Sequence, residues 1–306
     1  MIKKPLLLAI LFLTVMIAGA QPVKYKDPVF EGVRKTEDLS YDQSGDVKNK
    51  AHLFDLFQPA GDGSTNGPLI IWMHGGGFKF GSKNDKNIQL WSRTFAQRGY
   101  VCAAINYTHS KKLPFLHFDE LKRACYYATL DARQAVAYFR RHAAEYHIDP
   151  NKIILGGNSA GGIMALQAAY STDAELAKFA GIIDEYSHDQ DLVKVSAVIN
   201  FWGGIFNRDW LKNAHVPIVN VYGSTDNIVP PTHKDAPLYG AEDIHQKADK
   251  LSIPNKLKVF EGYSHELRKH FDPVTPAGRG TRSRWLEAGQ FAADFLYEEV
   301  FKGSDK

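Results

Sequence analysis

The stretch from residue 152 to residue 170 leaves few options for the structure around it. Ile153, Ile154 and Leu155 read as a short buried strand, and the run 163–169 reads as a helix. Between them stands Gly157-Asn158-Ser159-Ala160-Gly161, a G-x-S-x-G pattern. A serine on a tight strand-to-helix turn needs small neighbours, because the backbone passes close to itself and the helix packs on the strand. Gly157 and Gly161 supply that room and leave Ser159 exposed at the tip of a strained turn. The following helix points its amide-rich N-terminus at the serine, which favours negative charge developing there.

The rest of the hydrophobic pattern places this unit in a larger sheet. Residues 52–58 alternate apolar and polar side chains, as a half-buried antiparallel strand does. Residues 69–73 and 100–106 are continuous apolar runs, and 195–201, 216–222 and 256–260 read as further strands. Helical patterns occupy 88–98, 121–144, 244–251 and 282–300. Strands alternating with helices imply an α/β fold, a mostly parallel central sheet with helices on both faces. Right-handed crossovers put the strand C-terminal ends on one edge, where ligands usually bind.

Three further stretches fall on that edge. His74-Gly75-Gly76-Gly77-Phe78 follows the 69–73 strand directly. Three glycines let a loop turn its amides inward, and fixed amides are good donors to the oxyanion of a tetrahedral intermediate. Gly76 and Gly77 are assigned as donors, with Ala160 as the third, and His74 is expected to brace the loop. No phosphate-loop or dinucleotide spacing fits these glycines. Asp226 lies in a turn after the 216–222 strand and is placed to orient an imidazole, with Asp209 and Asp235 as rivals. His265 follows the 256–260 strand and is placed to take the proton of Ser159, with His270 as its rival. The order Ser159, Asp226, His265 is the chain order of a nucleophile, acid and base on this kind of sheet.

On these motifs the chain resembles the α/β-hydrolase superfamily, as a secreted carboxylesterase. His74 to Phe78 is similar to the oxyanion motif of hormone-sensitive-lipase-like esterases. Gly99-Tyr100-Val101, Ile105-Asn106-Tyr107, Asp131-Ala132-Arg133-Gln134-Ala135-Val136 and Ile148-Asp149-Pro150-Asn151-Lys152-Ile153 are similar to segments of those enzymes and of type-B carboxylesterases. Thr108 stands where such enzymes usually carry an arginine, and their long N-terminal cap is not legible here. The resemblance implies ester hydrolysis through an acyl-enzyme on Ser159, without metal or cofactor, and the His/Cys spacings of zinc sites are missing. Aromatic residues on strand-end loops, among them Phe78, Tyr107, Trp202 and Tyr263, are expected to line an acyl site. Longer connections at 106–119 and 171–191 are candidates to fold over it. The substrates expected are short-chain or aromatic acyl esters, polysaccharide-linked acetyl or feruloyl groups, or polyesters. A serine peptidase or a non-catalytic binding protein of the same fold is the alternative.

Residues 1–20 read as a leader, not as part of the fold. Lys3 and Lys4 precede an apolar run from Leu6 to Ile17, and Ala18-Gly19-Ala20 is a small-residue cleavage site. Cleavage after Ala20 leaves 286 residues, the size of one α/β catalytic domain, exported to the periplasm or beyond and without a stable membrane anchor. It also lowers the formal charge from +3 to +1. With no basic stripe, nothing points to nucleic acid. Stretches 41–49, 60–67 and 272–280 read as surface loops. Cys102 and Cys125 either close a loop of about 23 residues, adding roughly 3 kcal/mol on the loop-entropy argument, or stay as buried free thiols, the reading preferred here.

Overall fold

The computed structural model describes residues 21–42, 48–183, 193–233 and 237–302. The expected leader, Asp235 and part of the 171–191 connection lie outside them.

Eight strands form one sheet in the described residues: β1 (Val33–Ser40), β2 (Leu53–Pro59), β3 (Gly67–Met73), β4 (Val101–Ile105), β5 (Ile148–Asn158), β6 (Ala197–Phe201), β7 (Ile218–Gly223) and β8 (Asn255–Phe260). Their spatial order is β1-β2-β4-β3-β5-β6-β7-β8. β1, β2 and β4 pair antiparallel, and every pair from β4 to β8 is parallel. The strand C-terminal ends of β3 to β8 therefore share one edge.

The continuous apolar runs follow from burial on both faces. In β3, Leu69, Ile71 and Met73 face one layer, while Ile70 and Trp72 face the other. The first layer holds helices α2 (Phe118–Arg141), α4 (Ala160–Tyr170), α5 (Asp173–Ala180) and α6 (Ala241–Lys250); the second holds α1 (Lys86–Ala96) and α7 (Arg279–Leu296). Cys102 and Cys125 are buried free thiols in opposite layers, which is why they do not pair.

The structure departs from the sequence reading in four places. β2 is antiparallel as expected, but it is buried throughout residues 53–57 and not half-buried. Its polar member, Asp55, is fully covered because Lys35 (2.8 Å) and Lys83 neutralise it. β1 has no legible alternation: it is a charged edge strand, the form in which edges avoid pairing with other chains. The helix expected at 121–144 divides into α2 and a short α3 (Ala143–Tyr146). Part of the 171–191 connection is helix α5, started by a capping box between Thr172 and Glu175.

Candidate active site

β5 ends at Asn158 and α4 begins at Ala160, so Ser159 is the whole turn between them. Its backbone has φ 52° and ψ −120°, a strained combination for a residue with a Cβ, and its amide donates to Phe201 O at 2.9 Å. Contact requires the two flanking glycines. A Cβ on Gly157 meets the carbonyl carbon of Gly161 at 2.5 Å, and one on Gly161 meets Met73 O at 2.0 Å. The elbow is thus pressed onto the end of β3.

Asp226 sits in the turn after β7, buried. Its Oδ1 accepts the amides of Ile228 (2.9 Å) and Val229 (3.0 Å), which fixes the carboxylate plane. Its Oδ2 lies 2.8 Å from His265 Nδ1, and His265 Nε2 lies 2.9 Å from Ser159 Oγ. A carboxylate accepts only, so Nδ1 carries a proton and the neutral ring presents Nε2 as an acceptor to the serine hydroxyl. The side chain of His265 is 2% exposed, and Phe271 packs edge-on against its ring at 5.0 Å. The rivals are elsewhere. Asp209 is exposed and paired with Lys247 at 2.7 Å, and His270 is exposed. Glu266, one residue beyond the imidazole, turns to Arg268 at 3.0 Å.

The glycine loop starts where Met73 pairs in register with Gly157. Gly76, Gly77 and Phe78 all have positive φ, at 105°, 60° and 60°. A Cβ on Gly76 meets Phe80 O at 2.2 Å, so this tight turn admits only glycine there. Gly76 O accepts from the amides of Lys79 and Phe80, leaving the Gly76 and Gly77 amides outside the loop's own bonding among the described residues. Ala160, the first residue of α4, has an amide without an intrahelical acceptor. Gly75 is the first glycine of this loop. A Cβ there falls 3.3 Å from Ser159 Cβ and 2.8 Å from Asn158 Nδ2, so the loop runs directly beside the serine.

His74 is fully buried and donates from Nδ1 to Gly75 O at 2.7 Å. Burial lowers its pKa to about 3, so it is a neutral brace. Tyr107 stacks on it with ring centroids 4.3 Å apart, and the phenol donates to His74 O at 3.0 Å.

For three of the expected aromatic lining residues the structure gives a correction. Phe78, Tyr107 and Trp202 are covered to within 1% of their surface and belong to the core, supporting the site from behind. Their continuous contacts leave no free ring face: Trp202, for example, packs on Phe201 and Trp91. Tyr263 is half-buried, with the Lys269 ammonium and the Arg284 guanidinium over its ring at 4.3 and 3.9 Å. The apolar side chains exposed on strand-end connections include Phe80, Leu113, Leu116, Phe118, Ile228 and Val274. Aromatic character is visible in sequence, but which rings the core consumes depends on layer packing.

The BD-FAE family model matches residues 54–215, just over half of the chain. A Mycobacterium tuberculosis protein named "Probable carboxylic ester hydrolase LipM" is 27% identical over 196 residues, 64% of this chain; the chain spans 39% of that protein's length. An "AB hydrolase superfamily protein" of Schizosaccharomyces pombe is 28% identical over 274 residues, covering 81% of this chain and 77% of its own. Among solved structures, the thermophilic esterase Est2 of Thermogutta terrifontis superposes with a TM-score of 0.61 at 23% identity, over 91% of this chain and 96% of its own. Est2 has also been solved with propionate and with butyrate bound, and phosphorylated by paraoxon. The likeness shows a shared α/β-hydrolase fold.

Proposed function

The chain belongs to the BD-FAE family, and on that premise we propose that it is a carboxylic ester hydrolase working through Ser159, His265 and Asp226. One observation carries the reading: an unbroken path of hydrogen bonds from Ser159 Oγ through the imidazole to a buried carboxylate, 2.9 and 2.8 Å long. The names of the relatives support ester hydrolysis.

In this reading Ser159 Oγ attacks the ester carbonyl as His265 Nε2 takes its proton. Asp226 holds the reactive tautomer and stabilises the imidazolium. Charge gathers on the former carbonyl oxygen, which the amides of Gly76, Gly77 and Ala160 receive. The imidazolium returns its proton to the departing alcohol, leaving an acyl group on Ser159. Water, activated by the same imidazole, then releases the acid and restores the serine. The chain's own residues supply each proton transfer.

Short acyl esters are the proposed substrates. Phe78, Tyr107 and Trp202 are packed away and offer no apolar lining for a long acyl chain. The carboxylates bound to the related Est2 are short as well. Acetyl or feruloyl groups on a polysaccharide, or a polyester, are further substrates within the same proposal. Export through the 1–20 leader is part of the same proposal.

The test is kcat/KM over p-nitrophenyl esters of increasing acyl length. A steep fall beyond short chains supports the proposal. A maximum at long chains contradicts the short-acyl assignment, and no turnover at any length contradicts ester hydrolysis.

A further inference from the structure

The loop bearing Gly76 and Gly77 is also held from the side away from the serine. Behind it runs the segment that follows β4. Besides the Tyr107 contacts with His74, the amide of Ser110 donates to Phe78 O at 2.8 Å, and Lys79 Nζ reaches the carbonyl oxygens of Ser110 (2.9 Å) and Lys111 (2.8 Å). This supporting segment is itself fixed at Thr108, whose amide donates to Asp131 Oδ2 at 2.6 Å. The other oxygen of Asp131 lies 3.2 Å from His52 Nε2, and His52 Nδ1 lies 3.0 Å from Asp42 Oδ2. One imidazole is therefore clamped between two carboxylates, one of which holds the backbone behind the glycine loop.

From this chain of contacts we infer that His52 and Asp131 are positioning residues for the oxyanion amides of Gly76 and Gly77, and that the protonated form of His52 is the active one. The inference rests on the ester-hydrolase reading above and adds to it a second, remote titrating group. Asp131, on α2, is largely buried, and a carboxylate so placed is held best by a paired cation that donates to it. The imidazolium is that cation, donating one N–H to each carboxylate. When the ring loses a proton, one nitrogen turns a lone pair toward a carboxylate oxygen, and that contact becomes repulsive. The clamp then opens on one side, and the Thr108 anchor loosens with it.

The surroundings set where this happens. The hydrogen bond to Asp131, then that to Asp42, hold the His52 pKa up at about 9 against its ordinary value, although burial opposes them. The groups facing the ring are Asp131 from α2, and Asp42, Asn49 and the Tyr41 ring from the segment before β2. Burial keeps the Tyr41 phenol uncharged well above its usual range, and it donates to Asn106 O at 2.7 Å, on the same supporting segment. The clamp is thus closed at neutral pH and opens as pH rises through about 9. Loosely held amides lose transition-state charge stabilisation more than they lose ground-state binding, so kcat falls while KM stays.

The experiment measures kcat and KM for p-nitrophenyl acetate from about pH 7 to about pH 10 in the wild-type chain and in His52→Gln. Circular dichroism at each pH reports folding. At neutral pH the Ki of phenylboronic acid is added, because its serine adduct places a negative oxygen against the same amides. The expected wild-type result is a fall in kcat of about tenfold or more with a midpoint near pH 9, with KM within about twofold. His52→Gln should start at the low kcat, stay flat with pH, and bind the boronate weaker by the same factor as its loss of kcat. Wild-type kcat that holds to pH 10 in folded protein overturns the inference, and this arm needs no variant. So does a folded His52→Gln with wild-type kcat and Ki. A folded wild-type chain without turnover overturns the ester-hydrolase reading and this inference together.

Discussion

Gly161→Ala is the sharpest perturbation of the elbow. The added Cβ would lie 2.0 Å from Met73 O, 2.6 Å from Met73 C and 2.9 Å from His74 O. All three are backbone atoms at the C-terminal end of β3, so no side chain can swing aside. Relief to even the 3.0 Å that real Cβ contacts respect requires α4 and the β3 terminus to separate by about 1 Å. That separation divides the proposed machinery in two: Ser159 travels with α4, while Gly76 and Gly77 travel with β3. Misplacement of about 1 Å between reacting and stabilising groups costs roughly 100-fold in rate. Overpacking of this type lowers stability by about 1–3 kcal/mol, too little to dismantle a sheet of this size. The assay is kcat/KM for p-nitrophenyl acetate with thermal melting, and Gly63→Ala is the control because a Cβ there meets nothing within 4 Å. The expected result is a folded Gly161→Ala chain with kcat/KM down by about two orders of magnitude and a control like wild type. Activity within about threefold of wild type would refute the claim that Gly161 sets the distance between serine and oxyanion loop.

Asp226→Asn keeps the shape of the turn but removes the charge that holds His265 Nδ1–H, and kcat should fall by roughly 10⁴-fold, measured on the same ester; turnover near wild type would move the acid role to another residue. Arg133 is buried, pairs with Asp173, and donates to Gln167 O (3.2 Å) and Ala168 O (3.4 Å) at the end of the helix that carries the serine. Arg133→Met should cost about 3–5 kcal/mol in chemical denaturation, because it breaks the buried Arg133–Asp173 pair from one side. Adding Asp173→Leu should recover much of that loss, and no recovery would show that the helix-end bonds matter more than the ion pair.

Legibility in the sequence followed the range of the interaction. The Ser159 elbow was readable because its glycines are demanded by contacts between near neighbours and the adjoining strand. Asp226 and His265 could be placed because each follows its own strand, and the parallel sheet brings strand ends to one edge. The core strands were readable from apolar runs, whereas charged β1 was not. Short α5 carried a signal, the Thr172–Glu175 capping box, that the search for long apolar periods passes over. The fate of the aromatic residues was not readable at all. Tyr107 and Trp202 occupy strand-end loops in sequence, yet the packing of α1 and α2 on the sheet draws them inward. The His52–Asp131 clamp joins residues 79 positions apart, across a loop and a helix, and no local pattern announces such a pair.

The most direct measurement is intact-mass analysis after treating the folded chain with a fluorophosphonate, with peptide mapping of the adduct and Ser159→Ala as comparison. The account predicts one equivalent of adduct, on Ser159, in parallel with loss of esterase activity and absent from the variant. A folded wild-type chain that takes up no adduct, or takes it up elsewhere while Ser159→Ala still hydrolyses esters, would contradict it.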